Sequence, residues 1–181
     1  MRKLHSLLTL LVLCVPLAAC GKLDKGDVRK FIDQADDAAR KRYAPEICEL
    51  RAQSFTMHQK FQSDNERAPP TELDLDRKMY CAEAGKFARL RQYKLERRSL
   101  DIDLAADRKT ARVTATYREI LPYYEPDIVP ATPDDFRQWQ IIESRDESVV
   151  GIESGDVVFL STDADLHQSL ASKSEYHLPY Q

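Results

Sequence analysis

From Leu100 onward apolar and polar residues alternate so strictly that the chain must form extended strands with one wet face. Leu100, Ile102 and Leu104 alternate with Asp101 and Asp103; Asp107-Arg108-Lys109 supplies a turn; Ala111, Val113, Ala115 and Tyr117 then alternate with Arg112, Thr114, Thr116 and Arg118. Period two is the strand period, and two such runs about a polar turn form an antiparallel hairpin. Residues 122–135, PYYEPDIVPATPDD, carry four prolines and read as a loop. A tryptophan-bearing strand over 136–143, extendable to Ile152, follows, and Ser154-Gly155-Asp156 turns it into a fourth strand over 157–162.

The first part of the chain reads differently. Val28, Phe31, Ile32, Ala35 and Ala39 recur at helical spacing after Asp27, which predicts a helix over 27–43. Pro45 opens a second helix carrying Ile47, Leu50, Phe55 and Phe61 and fading near Gln62. Residues 63–70 end in two prolines and read as a loop. Thr71 and Asp74 look like a capping pair for a third helix with Tyr80, Ala84, Phe87 and Arg91 on one stripe. The expected fold class is therefore α+β, with three N-terminal helices packed on a curved, mostly antiparallel sheet.

Ahead of the helices, Arg2 and Lys3 precede an apolar run from Leu7 to Val15, the layout of a secretory signal peptide. Leu17-Ala18-Ala19-Cys20-Gly21 resembles the lipobox of bacterial lipoproteins, whose cysteine is acylated before the preceding bond is cut. The other reading is an ordinary signal peptide with a chance cysteine. The lipobox divides the chain into a signal peptide (1–19), a lipidated tether (20–26), one α+β domain (27–170) and a flexible tail (171–181). Gly21 and Lys22 are not the aspartate that signals inner-membrane retention, so the resemblance implies an outer-membrane anchor facing the periplasm. Loss of Arg2 and Lys3 from 27 basic residues leaves 25 against 30 acidic ones, a balance unsuited to nucleic acid. Cys14 leaves with the signal and Cys20 is acylated, so Cys48 and Cys81 remain as an even pair, read as a disulfide in an oxidising compartment. Two free thiols at a redox or metal site are the alternative, without a CxxC motif to favour them.

The helix FIDQADDAARKRYAP, the hairpin SLDIDLAADRKTARVTATYRE and the final pair FRQWQII and SGDVVFLST resemble, in order and periodicity over roughly 27–165, the nuclear-transport-factor-two-like superfamily. The resemblance implies the cystatin-like cone roll that this superfamily shares with SnoaL-like and ketosteroid-isomerase-like proteins. The resemblance implies a pocket at the wide end of the cone that holds a small molecule, a partner's side chain or the protein's own residues. Tyr117 and Trp139 are the candidate pocket residues.

Catalytic groups are scarce on this reading. No G-x-S-x-G motif occurs, and His58, His167 and His177 are far apart in sequence. Asp163, Asp165 and His167 alternate and could face one ion, but as a calcium loop the stretch has Gln168 where glycine is needed and Ser174 where glutamate is needed. An isomerase-like site needs a carboxylate facing a buried tyrosine or protonated acid. Asp101 and Asp103 fall on the wet face, and no acid is obviously aimed inward. No cofactor, metal ligand set or catalytic residue is assigned. Tyr123, Tyr124, Ile128 and Val129 lie in the proline-stiffened loop and form either a contact surface or a lid. The expectation is a non-enzymatic, lipid-anchored module with a periplasmic protein partner, as an immunity protein against a toxin or an envelope-assembly component. The alternative is a small-ligand carrier or isomerase-like enzyme using the cone. Mass spectrometry of unreduced protein is expected to find Cys48 and Cys81 cross-linked; two alkylatable thiols would contradict the pairing.

Overall fold

The computed structural model describes residues 21–64, 69–124, 136–176 and 178. Its elements are α1 (Lys25–Lys41), α2 (Ala44–Glu49), β1 (Arg51–Ser63), β2 (Thr71–Asp76), α3 (Arg77–Phe87), β3 (Lys94–Leu104), β4 (Thr110–Tyr123), β5 (Gln138–Glu153) and β6 (Asp156–Ser172). The strands form one sheet in the order β2-β1-β6-β5-β4-β3. Every pairing is antiparallel except β1 with β6, which is parallel.

The hairpin legible in the sequence is β3–β4, with Leu100 opposite Ala115, Ile102 opposite Val113 and Leu104 opposite Ala111. Its turn is fixed by Arg108 at φ 57° and by the Lys109 amide donating to Asp107 Oδ1 at 2.9 Å. The β5–β6 hairpin turns on Ser154 at φ 54° and Gly155 at φ 96°, both left-handed as a tight two-residue hairpin turn requires. Helix α1 starts two residues earlier than its pattern suggests, because Asp24, not Asp27, is the cap: Asp24 Oδ1 accepts from the Asp27 amide at 2.8 Å.

The expectation of three N-terminal helices on the sheet is overturned. The second predicted helix is one short turn, α2, after which the chain becomes β1. Phe55 is buried and Met57 and Gln59 follow it at period two, a strand alternation hidden among apolar residues that also fit a helical stripe. The third predicted helix is half strand. Leu73 and Leu75 alternate with Glu72 and Asp74 in β2, and α3 begins only at Arg77, where Asp76 Oδ1 accepts from the Met79 amide at 2.8 Å. Among the described residues the sheet therefore has six strands rather than four, mostly antiparallel as expected but mixed through the parallel β1–β6 pair.

Helices α1 and α2 cover the concave face, burying Val28, Phe31, Ile32 and Leu50 against Phe55, Val113, Val150 and Phe159. Phe31 and Phe159 stack with ring centroids 4.8 Å apart. Helix α3 lies to the side, against α2, β1 and β2, and Cys48–Cys81 joins it covalently to α2 with Cα atoms 5.5 Å apart. A loop spanning 33 residues gains on the order of 3–4 kcal/mol from such a closure. Arg77 strengthens the same corner by donating from Nε to Arg51 O and from Nη2 to Cys48 O, each at 3.1 Å.

A second, smaller core sits on the opposite face, where Trp139 packs with Ile120, Phe136, Ile141 and Ala171. Trp139 Nε1 donates to both Lys173 O and Tyr176 O at 3.1 Å, pinning the chain beyond β6. Trp139→Ala is expected to lower stability by about 3–5 kcal/mol in urea unfolding, without altering the concave-face cavity described below.

Candidate functional site

Ile32, Ala35, Asp36 and Ala39 share one face of α1, so the stripe that buries the helix carries one carboxylate inward with it. Asp36 is only 4% exposed. The strands opposite supply the remaining groups by parity. Val113, Ala115, Tyr117 and Glu119 face the same cavity from β4, and Asp146 and Ser148 face it from β5. On β3 a bulge between Arg97 and Ser99 reverses the phase, so that Tyr93, Leu95 and Arg97 turn toward the helix while Asp101 and Asp103 stay in solvent.

Asp36 is held by Arg97, whose Nη1 lies 2.7 Å from Oδ2 while its Nη2 donates to Asp33 at 2.6 Å. The Tyr117 hydroxyl also donates to Asp36. Burial raises the Asp36 pKa, and the Arg97 and Arg40 charges partly oppose that rise. Tyr117 is pushed up in turn, by burial first and by the Asp36 and Asp146 charges next. Burial pushes Glu119 up to about 7, against a hydrogen bond from the Tyr93 hydroxyl at 2.9 Å. Asp146 is pushed up to about 6 by burial, against a hydrogen bond from Ser144 and the charge of Arg51.

Arg51 lies in an aromatic cage, its guanidinium carbon 4.3 Å from the Phe159 centroid, 4.7 Å from Tyr80 and 5.4 Å from Phe55. Its Nη2 donates to the Tyr80 hydroxyl at 2.7 Å, leaving the Tyr80 proton free to donate elsewhere. Arg51 Nε and Asp146 Oδ1 are buried without a hydrogen-bond partner among the described residues. Both residues line an inner cavity of about 140 Å³ and the wider chamber of about 600 Å³ that adjoins it. Ile47, Leu75, Leu90, Leu121, Ile142 and Leu166 give that outer chamber a mainly apolar wall. The site can thus hold an apolar body outside and present two proton-exchanging carboxyls, a tyrosine hydroxyl and a guanidinium to its inner end.

Of the sequence candidates, Tyr117 lines the cavity. Trp139 does not: it is odd-numbered on β5, whereas Ile142, Ser144, Asp146 and Ser148 face the cavity. Tyr123 ends β4 opposite Gln138, and Tyr124 packs 6.3 Å from Phe136. Ile128, Val129 and Cys20 lie outside the described residues. Asp163 and Asp165 are exposed, while His167 Nε2 reaches Asp64 at 3.1 Å, and the described residues contain no metal-holding cluster. The reading that no acid faces inward is corrected by Asp36, Glu119 and Asp146. Glu119 continues the phase of Tyr117 by two residues, and Asp146 the phase of Val150 by four; both signals were present in the sequence.

No protein-family model and no curated protein matches the sequence. Solved structures do match. A protein of unknown function from Pseudomonas putida described as NTF2-like superposes with a TM-score of 0.52 at 14% identity, over 89% of this chain and 98% of its own. A hexachlorocyclohexane dehydrochlorinase from Novosphingobium barchaimii gives 0.55 at 7%, over 86% and 94%. A conserved protein from Planctomyces limnophilus gives 0.59 at 10%, over 81% and 98%.

The fold is the nuclear-transport-factor-two-like cone. The expectation of a chain without enzymatic equipment is corrected here, because this cone carries a dehydrochlorinase in one neighbour and encloses three inward carboxyls in this chain.

The two raised carboxyls make stability pH-dependent. In the folded chain Glu119 and Asp146 keep their protons to about 7 and about 6, whereas the ordinary values of these groups are 4.5 and 3.8. The folded state therefore binds more protons between these limits, and stability is full below the unfolded pKa values and falls as pH rises through the folded ones. Urea midpoints are expected to drop by the equivalent of about 1–3 kcal/mol across that window, with much of the drop removed in Glu119→Gln. A flat wild-type profile would mean that water reaches both groups.

Proposed function

We propose that the cone cavity binds a small, largely apolar molecule and moves a proton between two of its atoms, in isomerase-like acid–base chemistry. The carrying observation is the pair Asp146 and Glu119, half-buried carboxyls with pKa values raised to about 6 and 7 in one cavity with a tyrosine hydroxyl backed by a guanidinium. Groups poised near neutrality serve both as proton acceptor and as proton donor.

On this reading the free Oδ1 of ionised Asp146 accepts a proton from carbon beside a carbonyl. The Tyr80 hydroxyl, supported by Arg51, donates to the carbonyl oxygen as negative charge develops there. Glu119, protonated and held by Tyr93, delivers a proton at the far carbon, and exchange with water then takes the proton from Asp146 and restores the one on Glu119. Asp36 is committed to Arg97 and Tyr117 and positions the helix wall. The neighbouring dehydrochlorinase supports a cone used for chemistry, although its substrate belongs to that protein. The signal-like segment and the lipobox-like Cys20 support an exported, lipid-anchored location for this activity at the outer membrane.

A panel of cyclic and open-chain ketones incubated with the protein in deuterated buffer tests the reading through deuterium uptake at carbon. Asp146→Asn is expected to slow uptake about 10²–10⁴-fold, and Tyr80→Phe about 10²-fold. Uptake unchanged in Asp146→Asn, or absent across a panel whose members demonstrably bind, would sink the assignment.

A further inference from the structure

The residues that follow Cys20 are fastened to the body of the domain almost at once. Leu23 is 1% exposed, and its backbone forms two bonds with one residue of the β3–β4 turn: its amide donates to Arg108 O at 2.8 Å, and its carbonyl accepts from Arg108 Nε at 2.9 Å. Helix α1 begins two residues later. Gly21 lies against Ile152, next to the β5–β6 turn, where even an added Cβ would come within 2.9 Å of the isoleucine side chain. Only Gly21 and Lys22 separate Cys20 from this fixed point, a reach of about 10 Å fully extended.

The outer chamber lies toward the other end of the sheet. The outer chamber is lined by Leu121 on β4, Ile142 on β5 and Leu166 on β6. Leu166 is ten residues along β6 from the turn at Asp156, roughly 30 Å of strand.

We infer that the end formed by the β3–β4 and β5–β6 turns faces a lipid bilayer, with the mouth of the cavity directed away from it. This rests on the reading of Cys20 as the acylated residue. The partner is the headgroup surface and not the bilayer interior. Lys22, Lys25 and Lys109 are exposed there beside Asp24, Asp107 and Asp156, and the exposed large apolar residues Tyr43, Leu73, Met79 and Leu170 lie elsewhere. The acyl chains supply the attachment, and the two-residue tether sets the orientation. The ligand then reaches the cavity from the aqueous side and not by sliding out of the membrane.

Energy transfer from a dye on the full-length, processed protein to rhodamine-headgroup lipid tests this, in vesicles of phosphatidylethanolamine and phosphatidylglycerol. Dyes go on Asp107→Cys, Asp156→Cys and, at the far end of β1, Gln62→Cys, all exposed positions. Transfer from 107 and 156 is expected to exceed that from 62 by about two-fold or more, given strands of roughly 35 Å between them. A flexible insert of about ten Gly and Ser residues between Lys22 and Leu23 is expected to shrink that difference. Equal transfer from all three sites, or more from Gln62, on a chain whose mass shows acylated Cys20 would overturn the orientation alone. An intact mass without acyl groups would overturn the anchor and the orientation with it.

Discussion

The buried pair Asp36–Arg97 ties α1 to the bulged strand β3 across the concave face, and the cavity exists in the space this tie spans. A carboxylate 4% exposed is tolerated because Arg97 approaches to 2.7 Å and Tyr117 donates to it. Taking two charges out of water is costly, and the pair offsets that cost only while its geometry holds. Apolar residues at both positions would pack as well or better, but they would let the helix settle onto the sheet. The polar contact therefore keeps wall and floor apart and places the Asp36 carboxyl beside Tyr117 and within range of Asp146.

Around that tie the apolar residues are divided by size. Toward the turns, Phe31, Ile32, Val113, Val150 and Phe159 fill the cone. Toward the other end the inward residues include Ala35, Ala39, Ala115 and Ala164, and cavity is left between them. Helix α3 contributes Tyr80, Glu83, Ala84 and Phe87 to the wall there, although its main contacts are with α2, β1 and β2. The disulfide to α2 and the two Arg77 hydrogen bonds hold a helix that has just one buried residue, Ala84, to dock it. Covalent and polar fastening replaces the apolar burial that would have closed the chamber.

The two faces of the sheet thus do separate work. The concave face carries the ionisable groups in an apolar setting, where desolvation moves their proton affinities toward neutrality. The convex face near Trp139 stabilises the strands and the segment beyond β6 without contacting the cavity. Changes in Trp139 and in Asp146 are accordingly expected to act on different properties, stability in one case and proton transfer in the other.

The sequence by itself determined α1, the β3–β4 and β5–β6 hairpins, the Cys48–Cys81 pairing and the inward direction of Tyr117, because each rests on local periodicity, turn chemistry or cysteine count. It also contained Glu119 and Asp146 in the correct phase, but a phase is informative only once the strand limits are known, and β5 runs well past the segment that announces it. Only the tertiary structure decided that 51–63 and 71–76 are strands. Their apolar residues fit either period, and the pairing of 51–63 with β6 and of 71–76 with β1 selected the extended form. It alone reversed the phase of β3 at the bulge, turning Arg97 onto Asp36, and it alone brought groups from α1, α3 and five strands to one cavity. Local pattern sets which way a side chain points from its own element; which side chains meet depends on pairings between segments as far apart as Arg51 and Phe159, and no local pattern encodes those.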